Sequence, residues 1–275
     1  MSTVRVLARW DARTVLRDRW FLSAATAFAA LTLAAAALAL AGADIAGLSS
    51  FDRVAATLIS LTMLFVPLLG LTVGAGWIAG DRETGALTML LSQPVDRGAL
   101  FAGKYLGVAQ AVLSAILVGF GAAGVVLAAR VGLDRLPAFL WLIAMALLLA
   151  LAALSIGFLL SAASQNRNRA LGAALLAWLI LVIVSDLGIL GTALILRLPA
   201  PAVLVLGALN PVSAFRMAAI LGISGAPDLL GAVGIYAAEQ LGPAGLLAAL
   251  TAILVAWIIA AYLLGRARFQ SLTEP

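Results

Sequence analysis

The sequence predicts an all-α integral membrane protein with six transmembrane helices. Of its 275 residues, 64% are hydrophobic and only 11% are charged, and the mean hydropathy is +1.16. Soluble domains are about 45–50% apolar and about 25% charged. Because a helix needs about 20 apolar residues to cross a bilayer, this length allows roughly six to eight spans and excludes an additional soluble catalytic domain of ordinary size.

Six apolar runs define the predicted spans. The first is too long for the core of a signal peptide, so we expect it to be retained as the first span. An even number of spans places both ends of the chain on the same side of the membrane. The runs cover residues 20–41, 54–79, 105–129, 137–163, 170–196 and 244–264.

The distribution of basic residues predicts the orientation. Of the 17 Lys and Arg residues, twelve fall on the side that carries both termini and the loops 80–104 and 164–169. The other five fall on the opposite side. Since cytoplasmic loops carry the excess of Lys and Arg, the termini and these two loops are predicted to be cytoplasmic. The same excess explains the net charge of +5 without nucleic-acid binding.

The composition also excludes several kinds of site. The chain has no Cys and no His, which rules out disulfides, Cys/His zinc sites, iron–sulfur clusters and Ser–His–Asp triads. Met217 is an isolated thioether in the segment between the fifth and sixth runs, and one thioether is a poor copper site. We therefore predict no metal site and no cofactor in this chain.

Residues 1–19 are predicted to form an interfacial helix. Arg5, Arg9, Arg13 and Arg17 recur every four residues and would form one ridge directed at anionic headgroups. Asp11 and Asp18 interrupt the other face, so the predicted helix is only weakly amphipathic. The alternative is that these arginines are simply positive-inside charges before the first span.

The cytoplasmic loop 80–104 is long for a connector and contains a second predicted helix. Asp81 and Glu83 fall where that helix would start, where the helix dipole favours acidic groups. Three leucines at i, i+3 and i+4 give it an apolar stripe, and Pro94 ends it. The prediction is a short helix that docks on a cytoplasmic partner, or else an interfacial helix that serves only this chain. The candidate contact residues are Asp81, Glu83, Gly85, Leu87, Leu90, Leu91 and Pro94.

The same loop carries a resemblance to a known family. The segments 81–87 (DRETGAL) and 90–95 (LLSQPV), followed by Gly103-Lys104 at the start of the third run, resemble the pattern of ABC-2 type permeases. The resemblance extends over essentially the whole chain. It implies that the loop is the coupling helix that contacts an ABC ATPase subunit. It also implies that the permease acts as a homodimer, and that ATP and magnesium are bound by the partner ATPase.

One short motif in this region is misleading. Residues 98–104 (GALFAGK) match Gly-x4-Gly-Lys but lack the Ser or Thr that holds magnesium in a P-loop. No strand precedes them and an apolar span follows. We therefore predict no nucleotide site, and an energy source outside this chain.

The segment 197–242 is the longest predicted to lie on the outer side. Its apolar stretches 202–209 and 214–221 are too short to span, which favours re-entrant or interfacial helices. Leu209-Asn210-Pro211, Arg216 and Asp228 resemble the NosY-type permeases of nitrous oxide reductase maturation. That resemblance implies a periplasmic copper-handling partner on this surface. The alternative is a re-entrant element common to generic ABC-2 permeases.

Two further features lie inside the predicted spans. Asp186 interrupts the fifth span toward its outer end, either facing the bundle interior beside Arg197 or Arg216, or already in water at the helix end. Gly70 and Gly74 form a small-residue face in the second span that permits close helix packing.

Together these features predict one transmembrane permease domain over residues 1–275, located in the bacterial inner membrane. It would couple ATP hydrolysis by a partner to transport or force transmission, in copper-site maturation of nitrous oxide reductase. The alternatives are a generic ABC-2 exporter and an ion-coupled carrier, for which Asp186 is the one intramembrane charge available. The chain itself would not be an enzyme.

Overall fold

The computed structural model describes residues 3–41, 50–92, 95–185, 187, 199–226, 229 and 231–271. Within these ranges the chain forms α-helices and one π-helical segment, and no strand. The helices are α1 (Thr3–Val15), α2 (Arg19–Ala41), α3 (Ser50–Glu83), α4 (Ala86–Leu91), α5 (Arg97–Val131), α6 (Leu136–Ala163), α7 (Arg167–Leu179), the π segment (Ile180–Val184), α8 (Ala200–Leu209), α9 (Pro211–Ser224) and α10 (Gly231–Gln270).

Six of the described helical segments are long and apolar enough to cross a membrane, which confirms the predicted fold class. They are α2, α3, α5, α6, α7 with the π segment, and α10. The pair α8 and α9 is bent by 111° and would make a seventh crossing if it counted as one broken span. The chain breaks at Asn210 because Pro211 starts a new helix there and cannot donate a backbone hydrogen bond.

The helices extend beyond the apolar runs at the end of the bundle that holds α1, α4, the turn 164–166 and the end of α10. We call this end the basic end. The helix α3 continues to Glu83, and α5 already begins at Arg97. Asp81 and Glu83 therefore lie in the last turn of α3, and their predicted place at the start of the short helix was wrong. The preference of acidic side chains for helix N-termini did not decide their position. These carboxylates find partners on other helices, which offsets their unfavourable position at a helix C-terminus.

The two helices α3 and α6 pack closely along their length. A Cβ atom on Gly74 would lie 2.8 Å from the carbonyl oxygen of Leu154, and one on Gly157 would lie 2.6 Å from the carbonyl oxygen of Leu71. Both distances are shorter than side chains tolerate. The small residues of the second span therefore serve close helix packing, as predicted.

The helix α1 packs along α5. Arg5, Arg9 and Arg13 on α1 are exposed, as is Arg17 just after it, whereas the side chains of Ala8, Asp11, Ala12 and Val15 are buried. The prediction of weak amphipathicity was wrong, because Asp11 belongs to the buried face and is paired there.

Candidate functional site

A buried cluster of charges joins three helices at the basic end. The ammonium of Lys104 on α5 lies 2.5 Å from Oδ2 of Asp81 on α3 and 3.5 Å from Oδ1 of Asp11 on α1. The indole N–H of Trp77 donates to Oδ1 of Asp11 at 2.9 Å. Lys104 and Asp11 are almost completely buried, so their charges are screened little by water. The cluster therefore fixes α1 and the end of α3 to α5.

The cluster has two carboxylates for one ammonium. Burial raises the pKa of the Asp11 carboxyl above its usual value, and the neighbouring Lys104 charge opposes that shift. The negative charge of Asp81 adds to it. Oδ2 of Asp11 is buried and accepts no hydrogen bond among the described residues. Asp11 is thus the less favourably placed carboxylate of the pair.

Further hydrogen bonds tie the end of α3 to the turn between α6 and α7. The hydroxyl of Ser161 donates to the carbonyl of Ala75 at 2.6 Å and accepts from the backbone N–H of Ala79 at 2.9 Å. Arg82 donates to the carbonyl of Ser164. Oε2 of Glu83 accepts from the backbone N–H of Arg167 at the start of α7, at 3.0 Å.

The short helix α4 follows directly after this fixed end. Gly85 turns the chain with φ of 75°, a left-handed conformation that favours glycine. Leu87 is buried, and Leu90 and Leu91 are half-buried against the core of the chain. Met89 is 71% exposed and points away from the bundle.

The predicted apolar stripe of this helix therefore packs largely on the chain itself. Its solvent-facing side is formed by Thr88 and Met89, and the preceding residues Glu83 and Gly85 are also exposed. Pro94, which was predicted to end the helix, lies outside the described residues. The helix ends at Leu91 in the structure, three residues before it.

At the opposite end of the bundle, Asn210 joins α9 to the π segment. Its Oδ1 accepts from the backbone N–H of Val212 and caps α9, with Pro211 as the first residue of that helix. Its Nδ2 donates to the carbonyl of Leu181 at 2.6 Å and also bonds the Ser185 hydroxyl. The carbonyl of Leu181 belongs to the π segment, so the Asn210 amide connects the start of α9 to that segment.

Arg216 lies half-buried on α9 and lines a cavity of about 710 Å³ between α3, α9 and the π segment. Three other residues that the sequence analysis singled out near this end lie outside the described residues: Asp186, Arg197 and Asp228. The structure thus brings Asn210, Pro211 and Arg216 to the end of the bundle opposite α4.

Sequence reasoning missed the central role of Lys104, Asp11 and Trp77. Two signals were present: Lys104 is the one lysine of the chain, and Asp11 interrupts the apolar face of an amphipathic helix. Residues 98–104, which resemble a P-loop, lie within the first turns of α5 as continuous helix. Their lysine pairs with carboxylates of the same chain.

Comparison with known proteins agrees with this architecture. The profile of the family described as ABC-2 family transporter protein matches residues 5–271. The chain belongs to the ABC-2 transporter family. Membership makes it the permease subunit of an ABC transporter, a multi-pass membrane protein that works with an ATPase partner, and permease subunits of such transporters have no ATPase site of their own.

Two relatives narrow the comparison within the ABC-2 family. The chain is 30% identical over 276 residues to the probable ABC transporter permease protein NosY of Stutzerimonas stutzeri, covering 98% of this chain and 99% of the relative. It is 32% identical over 194 residues to the protein of the same name from Pseudomonas aeruginosa, covering 69% of this chain and 70% of the relative.

Proposed function

We propose that ATPase subunits dock on the basic end, with α4 as the coupling helix, and that this end faces the cytoplasm of a bacterial inner-membrane complex. The observation that carries the proposal is the contrast within α4. Its inner side is anchored in the core through Leu87, while Met89 stands exposed at its centre. A short helix that is fixed on one side and bare on the other is suited to transmit a push from a docked subunit.

The polar contacts at the basic end connect α4 mechanically to three helices. Since Lys104 joins Asp81 and Asp11, displacement of the loop around α4 would move the ends of α3, α5 and α1 together. The helix α3 has 34 residues and is about 50 Å long, enough to reach the opposite end. There it contacts α9, the helix capped by Asn210. In this mechanism the chain acts as a lever between the two ends.

The more specific proposal is that this permease acts in copper-site maturation of nitrous oxide reductase, as a homodimer. The similarity to two probable NosY permeases supports it, over nearly the full chain in one case. A periplasmic copper-handling partner would then dock at the end that carries Asn210, Pro211, Arg216 and Asp228. A generic ABC-2 exporter for another substrate is the competing function, and an ion-coupled carrier is the weaker one.

The docking proposal is tested with Met89→Glu, which places a charge on the exposed side of α4 without touching the core. We expect loss of the ATPase subunit on co-purification of the complex from membranes. The matched control is Leu133→Glu, since Leu133 has a similar exposed fraction (65%, against 71% for Met89) and lies in the turn between α5 and α6 at the opposite end. Retention of the ATPase by the Met89 variant would contradict the docking site.

The maturation proposal is tested in cells that lack this chain. Nitrous oxide reductase purified from them is expected to be deficient in copper, and the wild-type chain is expected to restore the metal content while Met89→Glu does not. Copper per enzyme is measured by elemental analysis. A fully loaded reductase from the deletion strain would contradict the maturation proposal.

A further inference from the structure

Two adjoining cavities form a groove beside α1. The first, of about 400 Å³, lies at the basic end between α1, the end of α3 and the start of α7. The second, of about 390 Å³, lies deeper, between the start of α2, α3 and α7. Asp18, Gly76, Trp77 and Arg167 line both cavities. We call the two together the α1–α7 groove, with a mouth at the basic end and a throat within the bundle.

The mouth of the groove is acidic, although the surrounding end of the bundle is rich in arginine. Its walls carry four carboxylates against one guanidinium, that of Arg167, and Lys104 behind the wall offsets one of these negative charges. Oδ2 of Asp11 is buried in this wall without a hydrogen-bond partner. Trp10, which is 59% exposed, adds an aromatic face at the rim. Carboxylates beside an aromatic face favour a cationic ligand group. The four carboxylates belong to Asp11, Asp18, Asp81 and Glu83.

The throat of the groove is apolar. Gly76 lies at the junction between mouth and throat, where a Cβ atom would be 3.5 Å from Nε of Arg167. The absence of a side chain there leaves the passage open, with the guanidinium of Arg167 above it. The apolar walls are formed by Val15, Phe21, Leu68, Val73, Leu171 and Leu175.

We propose that the α1–α7 groove binds a phospholipid with a primary ammonium headgroup, such as phosphatidylethanolamine. Its ammonium would lie among the carboxylates of the mouth, its phosphate beside the guanidinium of Arg167, and an acyl chain along the throat. This lipid matches all three regions, whereas an anionic headgroup such as phosphatidylglycerol would meet the carboxylates without a compensating cation. The position also fits, because α1 is an amphipathic helix with its arginines outward, which favours a place at the membrane surface, and the groove opens beside it.

The proposal is tested by native mass spectrometry of the full chain reconstituted in nanodiscs of equal phosphatidylethanolamine and phosphatidylglycerol. We expect the wild type to retain the ethanolamine lipid about tenfold more than the glycerol lipid, the size of one charge-assisted hydrogen bond. Gly76→Leu fills the junction and is expected to abolish that preference. The matched control, Gly172→Leu on α7, has open space around its Cβ position and is expected to bind as the wild type does.

A second variant keeps the proposal testable if Gly76→Leu does not fold. Asp18→Asn removes one carboxylate of the mouth, yet the new side chain can still accept the backbone N–H of Phe21 that Asp18 accepts. We expect it to lower the lipid preference while the melting temperature stays unchanged. Equal retention of both lipids by the wild type would overturn the proposal. Unchanged lipid preference in Gly76→Leu would overturn it as well. If that variant kept the lipid preference but lost the ATPase subunit, the groove would be a site for a side chain of the partner and not for a lipid.

The result of the lipid-binding experiment does not depend on the proposal that the ATPase docks on α4. Met89 lies outside the groove lining, so Met89→Glu is expected to keep the lipid preference even where it loses the ATPase.

Discussion

Lys104 and Asp81 form a close ion pair at the basic end of the bundle, with Nζ 2.5 Å from Oδ2. The two residues come from different transmembrane helices, and Asp81 belongs to the segment 81–87 that resembles the ABC-2 pattern. The contact explains why the second transmembrane helix continues past its apolar run. Lys104 also attaches α1 through Asp11, so one lysine connects the ends of α1, α3 and α5.

Replacement of Lys104 by Met is expected to destabilise the protein strongly. It leaves the Asp11 carboxylate buried without its cation, and breaking a buried pair by removing one partner costs about 3–5 kcal/mol. We expect a clear drop in the melting temperature of the purified protein in detergent. Arg13→Met, which removes an exposed charge of α1, serves as the control.

A combined variant separates loss of the ion cluster from loss of side-chain packing. Asp11→Asn, Asp81→Asn and Lys104→Met together remove all three charges and are expected to recover part of the lost stability. A melting temperature of Lys104→Met equal to that of the wild type would contradict the structural role of the cluster.

The raised pKa of Asp11 predicts a pH dependence of stability. Because burial raises the pKa of this carboxyl above 3.8, the folded chain binds its proton more tightly than the unfolded chain does. Stability from this group is therefore present at acidic pH and falls as pH rises through the interval above 3.8. The groups facing Asp11 are Lys104, Trp77 and Asp81.

The measurement compares melting temperatures of the wild type and Asp11→Asn from pH 4 upward, since asparagine does not titrate. We expect the stability of the wild type relative to the variant to decrease with rising pH over that interval. A difference that stays constant, or that grows with pH, would show that Asp11 is not the proton-binding group of the cluster.

The contact between α3 and α6 predicts intolerance to added volume. Gly157→Val adds a Cβ atom and two methyl groups, although the Cβ alone would already lie 2.6 Å from the backbone carbonyl oxygen of Leu71. Since backbone cannot yield as a side chain does, we expect a loss of about 1–3 kcal/mol or more. Membrane abundance and melting temperature are the readouts. Gly121→Val, with open space around its Cβ position on α5, is expected to behave as the wild type does.

Asn210 is expected to stabilise the end of the bundle opposite the basic end through two separate contacts. Asn210→Ala loses the cap of α9 and the hydrogen bond from Nδ2 to the Leu181 carbonyl, and the two losses together are expected to cost about 2 kcal/mol of stability. Asn210→Ser keeps a capping hydroxyl and is expected to recover about half. Protease cleavage between α8 and α9 in purified protein measures the effect. Equal cleavage in the wild type and the alanine variant would show that the contact with the π segment does not hold this end.

The membrane fold could be predicted from residues 20–41 and the five later runs because apolar length is a local property that the bilayer imposes. The small-residue face of Gly70 and Gly74 was also visible, since helix packing needs small residues at fixed spacing. The ends of the helices were misjudged. Whether Asp81 ends a helix or starts one depends on Lys104, which is 23 residues away along the chain.

What the sequence by itself determined is the class of protein, the number of spans and the family motif between the second and third spans. The tertiary structure decided which side of α4 is exposed: Leu87 faces the core and Met89 faces outward. It also decided that Asp11, Asp81 and Lys104 form one cluster. The physical reason is that burial and charge pairing depend on contacts between distant segments, while hydrophobic length and helical period are properties of each segment alone.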